Sequence, residues 1–368
     1  MSPHILPFPG NSPVAPETQS ELLGMLEQGQ IVGLPTETCY GLAVRADKPE
    51  ALQALSELKG RDASQTFTWH VGHAQAALDV ALWPALTKRL TDAFWPGPLT
   101  LVLPMDPEQA RARGLEGIVH EGNVGIRLPR HGATQELLAK APFPIVMSSA
   151  NSTGETPLTK ANEVAAVFGQ KIAAVANGDA TELGGSSTIL ALQPGRFELL
   201  RGGRISLEDL QSKAGLRLLF VCTGNTCRSP MAEGIARQRI AKALGTTESG
   251  LQAFGFRASS AGVFAGVNSP VSQESVDVLL DWGIDITKHA STLSSTALSR
   301  GVDLAYGLTE SHVEALRATM SPEQSRQVHL LSPSGHSISD PIGGTLELYS
   351  DTRDEISQAI NERMAQWV

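Results

Sequence analysis

Leu216-Arg217-Leu218-Leu219-Phe220-Val221-Cys222-Thr223-Gly224-Asn225-Thr226-Cys227-Arg228-Ser229-Pro230 decides the fold of the C-terminal half. Leu216 to Val221 is short, apolar and nearly uninterrupted, the pattern of a strand buried in a parallel sheet. Ser229 suits a helix N-cap and Pro230 the first helical position, and Met231 to Leu244 then runs as a helix that Gly245 ends. Between strand and helix lie a cysteine, five residues and an arginine. The backbone N–H groups of such a loop, which includes Gly224, Asn225, Thr226 and Cys227, can converge on an anion at the helix N-terminus. Arg228 adds a planar two-pronged donor for phosphate oxygens. The same positive field favours the thiolate form of Cys222, and a thiolate facing a bound phosphoryl group is a nucleophile in place. Ser229 can donate to its sulfur, and Asn225 tolerates left-handed backbone and can brace the loop. The plainer reading, a buried strand-end cysteine near a surface arginine, leaves Gly224, Asn225, Ser229 and Pro230 without a purpose.

Outward from this loop, the chain of 368 residues is long enough for two ordinary domains, and 41% hydrophobic content supplies their cores. The first 213 residues carry 17 basic and 22 acidic side chains and the remainder 12 and 16, so neither half offers the broad basic face of a nucleic-acid binder. Three cysteines, two of them in the loop, argue for a reducing compartment over a disulfide framework. Met1 to Pro16 has neither the charge nor the apolar core of a signal peptide, and no apolar run reaches membrane-spanning length. The expectation is a cytoplasmic, soluble protein with no membrane partner.

In the N-terminal half, Gln30 to Leu42 is a strand running into the turn Pro35-Thr36-Glu37-Thr38. Leu58-Lys59-Gly60-Arg61 ends a helix begun near Pro49. Trp95 to Thr100 is a rigid turn into the strand Leu99 to Leu103, and Val124 to Pro129 is a short strand holding Arg127. Pro144 to Asn151 opens from an apolar strand into Ser148-Ser149-Ala150-Asn151. Gly184 to Ile189 is a Gly/Ser/Thr loop, and Leu200-Arg201-Gly202-Gly203 closes the domain. Cations, small hydroxyls and flexible backbone at strand ends are what a triphosphate requires. No Walker-type G-x-x-x-x-G-K-[ST] is present.

The order and spacing of these segments resemble the YrdC-type threonylcarbamoyl-AMP synthases over residues 15–213. That resemblance implies condensation of L-threonine, bicarbonate and ATP, with Mg²⁺ travelling with the ATP and no permanently bound cofactor or metal. Its setting is the N6-threonylcarbamoyl modification of tRNA adenosine-37, with downstream tRNA-modification proteins as partners and an association with double-stranded RNA binding. It assigns Lys59, Arg61, Ser149, Asn151 and Arg201 to ATP, and Thr36, His70, Arg127 and Ser187 to threonine. His70 can equally be a packed strand histidine. The family's proline after Lys-x-Arg, and its Pro-Leu pair four residues on, are replaced here by Asp62, Thr66 and Phe67.

Residues 214–368 resemble the low-molecular-weight protein-tyrosine phosphatases and their bacterial arginine-phosphatase relatives. The resemblance rests on the loop, on Ser260-Ala261-Gly262, on Leu308-Thr309-Glu310-Ser311-His312, and on Asp340-Pro341 before a C-terminal helix. It implies Cys222 as nucleophile, Arg228 as phosphate clamp and Asp340 as general acid, acting on phosphorylated protein. Tyrosine-specific members carry a bulky aliphatic where Thr226 stands and an aromatic soon after Asp-Pro, where this chain has Ile342-Gly343-Gly344. Phosphoarginine and phosphotyrosine both stay open as substrates. Cys227 is a small loop residue or a disulfide partner for Cys222.

Three further readings compete: a thiol-linked arsenate reductase in the C-terminal half, a non-catalytic RNA- or nucleotide-binding module in the N-terminal half, and a degenerate regulatory half. The expected architecture is α/β: a twisted mixed α/β domain with a concave cationic face, followed by a small doubly wound parallel sheet with its loop at the carboxyl end of the first strand.

Overall fold

The computed structural model describes residues 3–10, 13–60, 67–151, 155–178 and 180–368. Two units form, Met1–Asp209 and Leu210–Val368. The division falls inside the helix Leu207–Ala214, four residues before the point at which the sequence was divided.

In the first unit, ten strands of the described residues make one mixed sheet. They are β1 (His4–Pro7), β2 (Val32–Pro35), β3 (Tyr40–Arg45), β4 (Thr68–His70), β5 (Leu99–Pro104), β6 (Asn123–Arg127), β7 (Ile145–Ser149), β8 (Ala174–Asn177), β9 (Thr188–Gln193) and β10 (Arg196–Arg201). Their spatial order is β1-β8-β2-β3-β7-β4-β6-β5-β9-β10. The tight turn between β2 and β3 pairs them antiparallel, with Pro35 opposite Tyr40, and β3 continues onto β7 with Gly41 opposite Ser149. A Cβ on Gly41 would come within 2.5 Å of the Met147 Cε, so this crossing takes only glycine as built. Parallel pairing of β4 with β6 sets His70 beside Arg127. The helix Pro49–Lys59 opens on its proline and stops at Gly60, whose φ of +58° is left-handed. Phe8, Leu22, Leu26, Val32, Leu34, Leu137, Ile145 and Met147 form a core under one face of this sheet.

The second unit contains β11 (Arg217–Cys222), β12 (Arg257–Gly262), β13 (Leu304–Gly307) and β14 (Val328–Leu330), all parallel in the order β12-β11-β13-β14. Alternation along β11 splits its side chains between two buried faces. Leu219 and Val221 pack with Ala305, Val313 and Leu316 on one side. On the other, Phe220 stacks on Tyr306 at 5.9 Å, and the Trp367 indole donates to the Tyr306 hydroxyl at 2.9 Å. Helices therefore cover both faces, as the doubly wound reading requires.

One local expectation is corrected. The helix after the loop begins at Arg228, with Cys227 at its N-cap, so Ser229 is not the cap. Arg228 and Ser229 take helical backbone, which frees the buried Ser229 hydroxyl to turn towards Cys222 instead of closing the helix end. No helix of the described residues is long and apolar enough to cross a membrane.

Candidate active sites

The nucleophile loop is built where β11 ends. Cys222 is buried, its Sγ 2.9 Å from Ser229 Oγ and 3.3 Å from the Asn225 amide nitrogen, which donates to it. Ser229 Oγ is also 3.2 Å from the Ala261 carbonyl, so its single proton can face either acceptor. Asn225 adopts φ +58° and is fully buried. Its side-chain NH₂ donates to Ser229 Oγ at 2.9 Å and Ser260 Oγ at 3.0 Å, and its Oδ1 accepts from the Thr292 amide at 2.8 Å. His289 Nε2 donates to its carbonyl at 3.0 Å. The strained residue is thus held at every polar atom, which keeps a left-handed non-glycine in place. A Cβ on Gly262 would meet the Thr223 carbonyl oxygen at 2.5 Å, so the end of β12 comes as close to the loop as backbone allows.

Arg228 is 5% exposed, and its two prongs are occupied. Nη2 pairs with Asp340 Oδ2 at 2.5 Å and Nη1 donates to the Ile338 carbonyl at 3.3 Å. Asp340, half exposed, reaches the guanidinium across 112 residues of sequence. The expected nucleophile, clamp and acid therefore converge. In this state the acid sits on the clamp, where a phosphate oxygen would have to displace it. The Thr226 hydroxyl lies 3.6 Å from the Cys227 Sγ, which in turn is 3.5 Å from the Tyr349 hydroxyl. Burial, with Cys227 adding to it, pushes the Tyr349 phenol up to about 12. All three cysteines are free thiols.

In the first unit a cavity of about 360 Å³ opens over the strand ends from β3 to β10. Six of the expected residues line it: Thr36, His70, Arg127, Ser149, Ser187 and Arg201. Arg127 and Glu37 are a buried ion pair at 2.7 Å, with Arg127 also donating to Thr38 Oγ1 at 2.8 Å. The second Glu37 oxygen accepts the Arg130 amide at 2.7 Å. A buried charge so paired is fixed in position. Burial, aided by Arg127, pushes the His70 imidazole down to about 3, so the ring is neutral at physiological pH. Its Nδ1 is 2.9 Å from the Thr68 carbonyl, an acceptor only. Nδ1 therefore carries the proton and Nε2 is an acceptor. Ser187 Oγ accepts from Arg201 at 2.9 Å and sits 3.1 Å from Thr100 Oγ1.

Two expected residues face differently from their expected use. Thr36 Oγ1 accepts the amides of Thr38 and Cys39, each at 3.2 Å, and donates to the Cys39 carbonyl at 2.6 Å, so its hydroxyl is occupied in its own turn. Lys59, buried, donates to the Ser149 carbonyl at 2.7 Å and to both the carbonyl and the side-chain oxygen of Asn151. A buried ammonium needs such acceptors. It secures the Ser149–Asn151 turn, and it is not among the residues lining the cavity. Arg61, with Asp62 and Thr66, lies outside the described residues.

Comparison with known proteins agrees with these two sites. A family model described as low molecular weight phosphotyrosine protein phosphatase matches residues 217–367, and the Sua5–YciO–YrdC model, described as telomere recombination, matches residues 24–203. The chain is 30% identical over 148 residues to the protein-arginine-phosphatase of Bacillus subtilis, covering 39% of this chain and 92% of that protein. It is 32% identical over 196 residues to a provisionally named threonylcarbamoyl-AMP synthase of Mycobacterium tuberculosis, covering 53% of this chain and 88% of that protein. The chain is a fusion of these two families.

The synthase-family half shares its fold with the crystal structure of Pyrococcus abyssi Sua5 complexed with L-threonine, at a TM-score of 0.51 and 22% identity over 70% of this chain and 92% of that one. The chain spans 56% and 64% of the lengths of the Bacillus subtilis and Pyrococcus abyssi threonylcarbamoyl-AMP synthases, each 32% identical to it.

Several residues of both halves escaped the sequence reading. Glu37 and Thr38 were taken as turn residues, and Thr100 as the end of a rigid turn. The acidic Glu37, placed between two threonines before a buried strand, was the available signal. In the phosphatase-family half, Phe264 is 82% exposed while its amide donates to the Thr223 carbonyl at 3.0 Å, which puts an open aromatic ring beside the nucleophile loop. The sequence reading looked for an aromatic only after Asp340.

Proposed function

We propose that the chain is bifunctional. Its N-terminal half joins L-threonine, bicarbonate and ATP into threonylcarbamoyl-AMP with release of pyrophosphate, and its C-terminal half hydrolyses phosphorylated protein through a phosphocysteine. The observation that carries the second activity is the convergence of Cys222, Asn225, Arg228, Ser229 and Asp340 on one loop. Cys222 attacks phosphorus in line and the leaving group departs with a proton from Asp340. Water then attacks the phosphocysteine, giving its proton to Asp340 and releasing phosphate. Arg228 and the loop amides hold the equatorial oxygens throughout. Asp340→Asn is expected to lower kcat by about 10²- to 10⁴-fold. Steady-state rates on a phosphopeptide test this, and an unchanged kcat would remove Asp340 from the acid role.

For the first activity the cavity supplies matching chemistry. His70 Nε2, an acceptor at neutral pH, suits the threonine ammonium. Arg127, held by Glu37, suits its carboxylate or the carbamate, and Ser187 with Thr36 completes that side. Ser149, Asn151 and Arg201 take the nucleotide, Lys59 and Arg61 the phosphates, and Mg²⁺ arrives with ATP. Transfer to tRNA belongs to separate proteins in the cytoplasm. Pyrophosphate release that depends on both threonine and bicarbonate tests this reading, and release independent of threonine overturns it. Arsenate reduction is disfavoured, because no cysteine follows Cys227 to carry a disulfide onward.

Phosphoarginine is the favoured substrate class. The Thr226 hydroxyl can hydrogen-bond a guanidinium, where an aliphatic side chain would instead grip a phenol ring. Thr226→Ile adds apolar surface worth on the order of 1 kcal/mol per methylene and removes a polar contact worth about 1–3 kcal/mol. Together these shift relative kcat/KM towards phosphotyrosine by roughly tenfold or more. Peptides differing only in the phosphorylated residue measure the ratio, and a change of less than about threefold takes specificity away from Thr226.

A further inference from the structure

The segment Leu308-Thr309-Glu310-Ser311-His312 has no part in the reaction as derived above, yet it touches both loops that carry it. The Leu308 amide donates to the carbonyl of Val221, the residue before Cys222, at 2.9 Å. The Leu308 carbonyl accepts the amide of Ile338, two residues before Asp340, at 2.8 Å. The Glu310 amide donates to Ser337 Oγ at 3.4 Å. His312, 4% exposed near the start of the helix Glu310–Ala318, completes the joint. Its Nε2 is 2.9 Å from Oγ1 of Thr223, the residue directly after the nucleophile, and its Nδ1 is 2.8 Å from Thr309 Oγ1.

We propose that His312 is a positioning residue that locks the peptide following Cys222 and holds the nucleophile loop in register with the loop carrying Asp340. Thr223 is gripped from both sides. Its carbonyl accepts the Phe264 amide at 3.0 Å from the β12 side, and its hydroxyl is held by the ring from the β13 side. A neutral imidazole offers one donor and one acceptor, and the two threonine hydroxyls can match either arrangement. The ring is in that state at physiological pH, because burial, and then Arg228, pushes it down to about 4. The Ile338 carbonyl accepts from Arg228 at 3.3 Å, so a shift of Leu308 against β11 also moves the clamp and the acid relative to sulfur. Small misplacements of this kind act on rate more than on binding.

This inference rests on the phosphatase reading, and its test separates the two. His312→Ala, Thr223→Val, the double variant and His312→Gln are compared in the full chain on 4-nitrophenyl phosphate and on phenyl phosphate. The first leaving group departs without a proton and the second needs one from Asp340. Expected for His312→Ala is a loss of kcat of roughly tenfold or more on phenyl phosphate, with KM and the rate on 4-nitrophenyl phosphate within about threefold of wild type. Thr223→Val should reproduce that loss, the double variant should add little to it, and His312→Gln should recover part of it. Thr223 is exposed, so its variant carries the comparison if His312→Ala does not fold. Unchanged kcat, equal loss on both substrates, or additive losses overturn the proposal. A wild-type protein inert on both substrates overturns the phosphatase reading itself.

Discussion

Cys222→Ser abolishes phosphate release from phosphopeptides and leaves threonine-dependent pyrophosphate release at the wild-type rate. The sulfur is set for attack by its neighbours: Asn225 donates an amide to it at 3.3 Å and Ser229 Oγ lies 2.9 Å away. Those contacts support a thiolate. A serine hydroxyl there stays protonated at neutral pH, with no base placed to take its proton. Loss of a nucleophile acting in concert with its neighbours costs on the order of 10⁴- to 10⁶-fold in kcat. Phosphate binding should survive, because Arg228 and the loop amides are untouched. Turnover retained in this variant would sink the nucleophile assignment. The synthase-family site lies wholly within the other unit, so its activity is the internal control.

Lys59→Ala is the counterpart in the first half, expected to remove most threonine-dependent pyrophosphate release. The Lys59 ammonium satisfies the carbonyls of Ser149 and Asn151 and the Asn151 side chain from a buried position. Without it those oxygens lose their donor, at about 1–3 kcal/mol for each group left unsatisfied. The turn that presents Ser149 to the cavity then loosens. A net loss of about 3 kcal/mol in transition-state binding corresponds to roughly two orders of magnitude in kcat/KM. ATP should be affected more than threonine, since the disturbed turn faces the proposed nucleotide side. Initial rates with each substrate varied in turn measure this. An unchanged KM for ATP together with unchanged kcat contradicts it.

Legibility in the sequence followed the range of the interactions. The nucleophile loop is nearly all local: Cys222, Asn225, Arg228 and Ser229 lie on one strand–loop–helix unit, so their spacing alone placed them together. Ser229 was misread because its hydroxyl serves the sulfur, a contact that cap preferences do not encode. Asp340 was found through its Asp-Pro pair despite a separation of 112 residues from Arg228. The Arg127–Glu37 pair spans 90 residues and the Lys59–Asn151 contact 92. Nothing in periodicity or propensity brings such residues together; the register of β3, β7, β4 and β6 does. The same limit hid Thr223 and His312, 89 residues apart. Strand edges were read closely in the first half because each ends in a proline, glycine or hydroxyl cluster. The strand order β1-β8-β2-β3-β7-β4-β6-β5-β9-β10 was not readable, since long-range pairing is a tertiary choice.

The claim that one chain carries two independent active sites is tested most directly by a crossed assay of the purified full-length protein. Wild type, Cys222→Ser and Lys59→Ala are each assayed for pyrophosphate release with ATP, threonine and bicarbonate, and for phosphate release from a phosphoarginine peptide. The expected result is two activities in the wild type, with each variant losing one and keeping the other. A wild type that lacks either activity, or a variant that loses both while remaining folded, contradicts the account.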